Sequence, residues 1–166
     1  MEDILNKEPV QRVIKALNNF DHSLKVEILS SSARTAKDAA LSLNCDVGAI
    51  VKSLLLRTDT YFVLCLVSGD KKCSLNKIKK ILNKKDVSMA NADQVKEQTG
   101  FSIGGVSPVA HSIKQKIFID SSLSRFEDIF AAAGHPNSIF KIKYKKLIEL
   151  TNGQEEDLIQ WKNQKF

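Results

Sequence analysis

The stretch AIVKSLLL, residues 49–56, sets one lysine inside an otherwise apolar run. Read as a β-strand, whose side chains alternate faces, it puts Lys52 on the same side as Ile50, Leu54 and Leu56. Burying an unpaired ammonium costs on the order of several kcal/mol, so an inward lysine needs an anionic partner or a chemical purpose. The alternative is a lysine that snorkels out past a strand edge. YFVLCLV, 61–67, supplies a second apolar strand, and Thr58-Asp59-Thr60 between the two reads as a tight hairpin turn.

Helices and strands alternate on both sides of this hairpin. Upstream, Pro9 sits in the first turn of a helix with an apolar stripe of Val10, Val13, Ile14 and Leu17, and KVEIL, 25–29, is a short strand. Thr35 caps a second helix with Asp38 at its third position, and Ala36, Ala39, Ala40 and Leu43 give that helix a face of small residues. Downstream, Ser74 opens a helix that turns Leu75, Ile78, Ile81 and Leu82 inward. DVSMA reads as a strand and ADQVKEQT as a helix stopped by Gly100. KIFID, IFAAA and SIFKIK are further strands, and YKKLIELTN closes with a helix. The order predicts one α/β domain over residues 1–166 with a mixed, largely antiparallel sheet.

Composition narrows the function classes. Hydrophobic content of 43% and charged content of 27% are ordinary for a soluble globular chain. No apolar run approaches a membrane span, and MEDILNKEPV lacks the features of a signal peptide. The three cysteines, Cys45, Cys65 and Cys73, form no CxxC pair, which argues against a disulfide framework or zinc site and fits a reducing cytoplasm. The net charge of +6 is concentrated: Lys71, Lys72, Lys77, Lys79, Lys80, Lys84 and Lys85 fall close together, and KIKYKK adds four more lysines. Such a surface attracts polyanions, although lysines at helical spacing serve equally as a solvated helix face.

Two loops look like more than connectors. In TGFSIGGVSPVAH, 99–111, Gly104 and Gly105 allow close backbone approach and Pro108 stiffens the exit, so the amides can converge on an anion or a carbonyl oxygen. A simple turn is the plainer alternative. In AAAGHPNSIF, Gly134, His135 and Pro136 follow a strand of small residues. There is no GxSxG, Walker loop, HExxH or GxGxxG, and the spacing of His22, His111 and His135 recommends no metal centre. Chemistry here is restricted to one lysine, backbone amides, a histidine and groups of the substrate.

RTAKDAALSLNCDVGAIVKSLLL, LVSGDKK, TGFSIGGVSPVAH, FIDSSL and AAAGHPNSIFKI occur in the order and spacing of YbaK-type proteins. The chain therefore resembles the YbaK-type aminoacyl-tRNA deacylases, free-standing relatives of the editing domain of bacterial prolyl-tRNA synthetase. The resemblance spans roughly residues 10 to 152. It departs modestly, with Asn44-Cys45 in place of a glycine-containing pair and no glycine in the hairpin turn.

The resemblance implies an α/β domain around a mixed, strongly curved sheet surrounded by helices. It implies hydrolysis of the ester of a mischarged tRNA, with no covalent intermediate, no metal and no cofactor, and with a ribose hydroxyl of the substrate activating water. Lys52 matches the family's catalytic lysine. Gly104, Gly105, Val106, Ser107 and Pro108 match the loop that contacts the aminoacyl ester, and Thr35, Gly134 and His135 fall with the substrate-binding residues. Lys71, Lys72, Lys79 and Lys80 are expected to meet the tRNA. Gly-His-Pro resembles the alanine-specific editors, which makes alanine on proline tRNA the expected substrate and cysteine on the same tRNA the alternative. Prolyl-tRNA synthetase is a compatible partner. A non-catalytic tRNA-binding or synthetase-associated module, or hydrolysis of a small acyl or nucleotide ester, remains open at the level of sequence.

Overall fold

The structure, a computed structural model, describes residues 3–31 and 35–161. The chain opens with α1 (Glu8–Phe20), β1 (Val26–Ile28) and α2 (Ala36–Leu43), then runs through the hairpin β2 (Val51–Arg57) and β3 (Phe62–Ser68). Next come β4 (Lys72–Cys73), α3 (Leu75–Leu82), β5 (Ser88–Met89) and α4 (Ala92–Thr99), followed by β6 (Lys116–Asp120), β7 (Ile129–Ala132) and β8 (Ser138–Ile142). It finishes with α5 (Tyr144–Thr151), β9 (Gln154–Glu156) and β10 (Ile159–Gln160). No described helix is long and apolar enough to cross a membrane.

The helix ends follow local chemistry. The Thr35 hydroxyl accepts from the Asp38 amide at 3.1 Å, and Ser74 does the same for Lys77 at 3.2 Å. Asn91 and Gln94 form a reciprocal capping box on α4. Asn44 and Asn83, both left-handed, end α2 and α3 where a glycine is more usual.

The sheet is mixed, as the sequence implies, but hydrogen bonding divides it. Five strands run in the order β5-β2-β3-β6-β9, with β3–β6 and β6–β9 parallel; β1-β8-β7 is antiparallel; and β4 pairs with β10 as a ribbon. A single parallel bridge between Ile50 and Phe130 joins the two larger sheets. Curvature explains the division. One edge of β2 meets β7 near its start and β5 only at Leu56 and Arg57 near its end. DVSMA thus contributes only two paired residues, Ser88 and Met89.

The central strand β3 is buried on both faces. Leu64 and Leu66 pack into the main core with Val13, Leu17, Val51, Leu55, Phe140 and Leu147. Val63, Cys65 and Val67 pack on the other side with Leu56, Ile78 and Phe118. On a third cluster, Ala39 and Ala40 of α2 press against Ile50 and Ile139, the close approach that small side chains permit.

Candidate active site

Alternation along β2 sends Val51 and Leu55 into the main core and turns Lys52 to the opposite side with Ile50, Leu54 and Leu56. Lys52 is half-buried, and its Nζ donates to the Lys71 carbonyl at 2.5 Å. No described carboxylate forms an ion pair with it. Burial holds its pKa below the ordinary 10.5, with partial compensation from the neighbouring Cys73 and Asp70. Asp70 is already engaged: Arg125 donates two N–H bonds to its carboxylate, at 2.8 and 3.1 Å. Arg125 also donates to the Ser68 hydroxyl at 2.8 Å and the Ser122 carbonyl at 2.7 Å. This clamp fixes the turn that carries the Lys71 carbonyl. Burial pushes the Cys73 thiol up to about 11, so beside Lys52 it is no thiolate nucleophile at neutral pH.

Lys52 borders a cavity of about 360 Å³. Thr35, Ala36 and Ala39 form its α2 wall, and Phe130, Ala132, Pro136 and Ile139 form the wall from β7 and β8. Ile50, Val51, Ser53 and Leu54 contribute from β2, and Ile103, Gly104 and Val106 close it from the loop. That loop is held firmly. Arg12 of α1 donates from Nε to the Ala110 carbonyl at 2.8 Å and lies 4.5 Å over the Phe101 ring. His111 donates from Nε2 to the Ser107 carbonyl at 2.7 Å and meets Phe101 edge-on; burial keeps its pKa low.

The sequence-expected residues divide three ways. Lys52, Thr35, Gly104 and Val106 share the cavity. Gly105, Gly134 and His135 line a second one, of about 450 Å³, with Lys7, Lys96 and Ser102; Pro136 borders both. Ser107 and Pro108 are buried behind the loop, where the Ser107 hydroxyl accepts from the Val109 amide at 3.2 Å. The Gly105 amide is likewise occupied, donating to the Ser102 carbonyl at 2.9 Å. His135 organises its own turn: Nδ1 accepts from the Asn137 amide at 3.0 Å, and its carbonyl accepts from the Ser138 amide and hydroxyl, each at 3.0 Å. The reason is the turn's path. Gly134, with φ +96, brings the backbone so near Pro9 that a Cβ would lie 2.6 Å from the Pro9 carbonyl oxygen.

Sequence reasoning missed Ser53, Phe130, Ala132, Ile139 and the Asp70–Arg125 clamp. Only the small-residue face of α2 left a signal, which read as packing. Among the lysines, Lys71 sits 4.7 Å over the Trp161 ring, while Lys72 and Lys80 are exposed. Lys79 is in the last turn of α3. Others are tied locally, Lys77 to Asp157 at 2.9 Å and Lys143 to Asp128 at 2.7 Å.

Residues 30–150 match the family described as the aminoacyl-tRNA editing domain, and the chain belongs to that family. It is 36% identical to a solved structure of a protein proposed as a trans-editing enzyme for prolyl-tRNA synthetase, with a TM-score of 0.88 over 93% of this chain and 99% of that one. The uncharacterised protein YwhH of Bacillus subtilis is 32% identical over 73% of this chain and 77% of its own length. A proline–tRNA ligase of Caldicellulosiruptor saccharolyticus is 28% identical over 138 residues, which are 80% of this chain but 24% of the ligase. The chain thus spans about a quarter of that ligase's length.

Proposed function

We propose that the protein is an aminoacyl-tRNA deacylase that hydrolyses the ester of mischarged tRNA in trans, with alanine on proline tRNA as preferred substrate. The observation that carries this reading is the Lys52 ammonium, held by a carbonyl rather than a carboxylate, at the wall of a small and largely apolar cavity. Its positive charge is available to a phosphate of the terminal nucleotide or to the oxygen that becomes negative as water adds to the ester carbon. Collapse of that intermediate breaks the bond to the ribose oxygen, which takes the proton and leaves free amino acid and tRNA. A substrate ribose hydroxyl orients the water, in keeping with a site whose neighbouring thiol is not ionised.

Ala36, Ala39, Ala132 and Gly104 keep the cavity small, which supports alanine over bulkier residues. His135 acts on selection through the turn that presents Pro136. One methylene is worth only about 1 to 3 kcal/mol, so cysteine on the same tRNA is the near competitor. The substrate reaches the enzyme as tRNA, free or handed over by prolyl-tRNA synthetase, in the cytoplasm. Deacylation measured on alanyl-, cysteinyl-, seryl- and prolyl-tRNA(Pro) tests the reading: alanyl-tRNA(Pro) should be hydrolysed fastest. Release of cysteine alone would reassign the substrate, and no release from any would leave a binding module. In the same panel, His135→Ala should shift the alanine-to-cysteine ratio.

A further inference from the structure

One edge of β2 is bridged at its ends and bare in the middle. Ile50 meets Phe130 and Leu56 meets Met89, but no described strand pairs with Lys52, Ser53 or Leu54 on the side away from β3. The direction of the backbone groups follows from two hydrogen bonds. On the β3 side the Ile50 carbonyl accepts from Gly69 at 2.7 Å, and on the opposite side the Leu55 carbonyl accepts from Ala90 at 3.0 Å. Strand residues alternate in this respect, so Val51, Ser53 and Leu55 direct their N–H and C=O off the open edge. Ser53 is the middle one and lines the cavity together with Lys52, Gly104 and Ala132.

Backbone N–H and C=O groups seek hydrogen-bond partners, and an open strand edge is a template for pairing. The Ser53 side chain does not fill the need. Its hydroxyl is itself buried with no partner, the one such side-chain atom among the described residues. A cavity wall with an N–H and a C=O pointing the same way matches one kind of group closely. In a hydrogen-bonded antiparallel pair, two residues exchange both N–H···O bonds. An α-aminoacyl group carries the same two functions, an amine donor and a carbonyl acceptor, on either side of its Cα.

We propose that the main chain of Ser53 is the docking edge for the aminoacyl group. Its carbonyl accepts from the substrate's α-ammonium, and its N–H donates to the ester carbonyl oxygen and to the oxyanion that oxygen becomes. This deepens the proposed function and rests on it. Main-chain pairing reads any α-amino acid alike, which leaves side-chain selection to the alanine and glycine walls. It also supplies an oxyanion donor, since the Gly105 amide is already bonded to Ser102.

Two measurements test this in the 166-residue chain. The first replaces the residue-53 amide by an ester, incorporating lactic acid in place of alanine at that position, with Ser53→Ala as reference. The N–H is removed and the side chain is matched. Turnover of alanyl-tRNA(Pro) should fall about a hundredfold or more relative to Ser53→Ala, chiefly in kcat. Because the ester also weakens the Lys52 carbonyl toward β3, Ser53→Pro is made in parallel: it lacks the N–H but keeps that carbonyl an amide, and proline is tolerated at an unpaired edge. Equal turnover of the ester variant and its reference, with the wild type active, overturns this inference and spares the deacylase. The second compares binding of 3′-alanylamino-adenosine with its propionyl counterpart, which lacks the α-ammonium. The first should bind about tenfold or more tightly. Equal affinities overturn the carbonyl contact, and a wild type that neither turns over nor binds overturns the proposed function together with it.

Discussion

Lys52 Nζ donates to the carbonyl of Lys71 at 2.5 Å, and among the described residues this is the one hydrogen bond its ammonium makes. An ammonium has three donors. Two are left to face the cavity, and the turn carrying Lys71 decides where they point.

A lysine retained for chemistry should burden the fold. Burial lowers its folded pKa below 10.5, so at neutral pH the folded chain carries a proton that the unfolded chain binds more tightly. Lys52→Met should therefore be at least as stable as the wild type, with an equal or higher Tm at neutral pH. The sign sets the pH window: the advantage is full below the depressed pKa and fades as pH rises to 10.5. Thermal melts of both proteins from neutral pH up to 10.5 check it, and a clearly less stable Lys52→Met would show that the ammonium holds the fold together.

The Arg125–Asp70 clamp should matter to rate more than to binding. Removing it with Arg125→Met frees the turn that anchors Lys52. A displacement of about 1 Å at a catalytic group can cost on the order of a hundredfold. We expect kcat to fall ten- to a hundredfold with little change in KM. The double variant with Lys52→Ala should be no worse than Lys52→Ala alone, since both act through one group. Additive losses would separate Arg125 from the lysine.

Much of this was legible in the sequence, for local reasons. Thr35 with Asp38, Ser74 at the head of α3, Gly100 after α4 and the turn at 58–60 declare themselves within a few residues of one another. The odd position of Lys52 is visible from alternation alone. What was not legible depends on distant pairing. Asp70 and Arg125 are 55 residues apart, and nothing near either names the other. The bare edge at Ser53 exists because β2 curls between β7 and β5, and the parallel β3–β6 pairing needs a long crossover that sequence order does not specify. His135 sits beside the expected loop but faces the second cavity because of the path Gly134 takes past Pro9.

Gly105 is where the two loops touch. A Cβ there would lie 3.0 Å from both the amide nitrogen and Cα of His135 and 3.1 Å from the Gly134 carbonyl carbon, all of them backbone atoms. Overpacking of this kind costs about 1 to 3 kcal/mol. Gly105→Ala should lower Tm and should widen the gap between the Gly104 and Pro136 walls, so that alanine loses its advantage over cysteine. Unchanged Tm and unchanged selectivity together would show that the loops are not coupled.

The lysine surface makes a separate prediction. If Lys72, Lys79 and Lys80 follow the tRNA backbone, changing them to glutamine should reduce the slope of log affinity against log salt by about 0.7–0.9 for each phosphate left without its lysine. Hydrolysis of alanyl-adenosine should survive the change. A slope equal to that of the wild type would leave them as a solvated face.

The most direct measurement is single-turnover hydrolysis of alanyl-tRNA(Pro) by the wild type and by Lys52→Ala at neutral pH, with folding of the variant verified by its thermal melt. The wild type should release alanine rapidly, and the variant should lose about a hundredfold to a thousandfold in rate. A folded Lys52→Ala that releases alanine at the wild-type rate would contradict a catalytic role for Lys52.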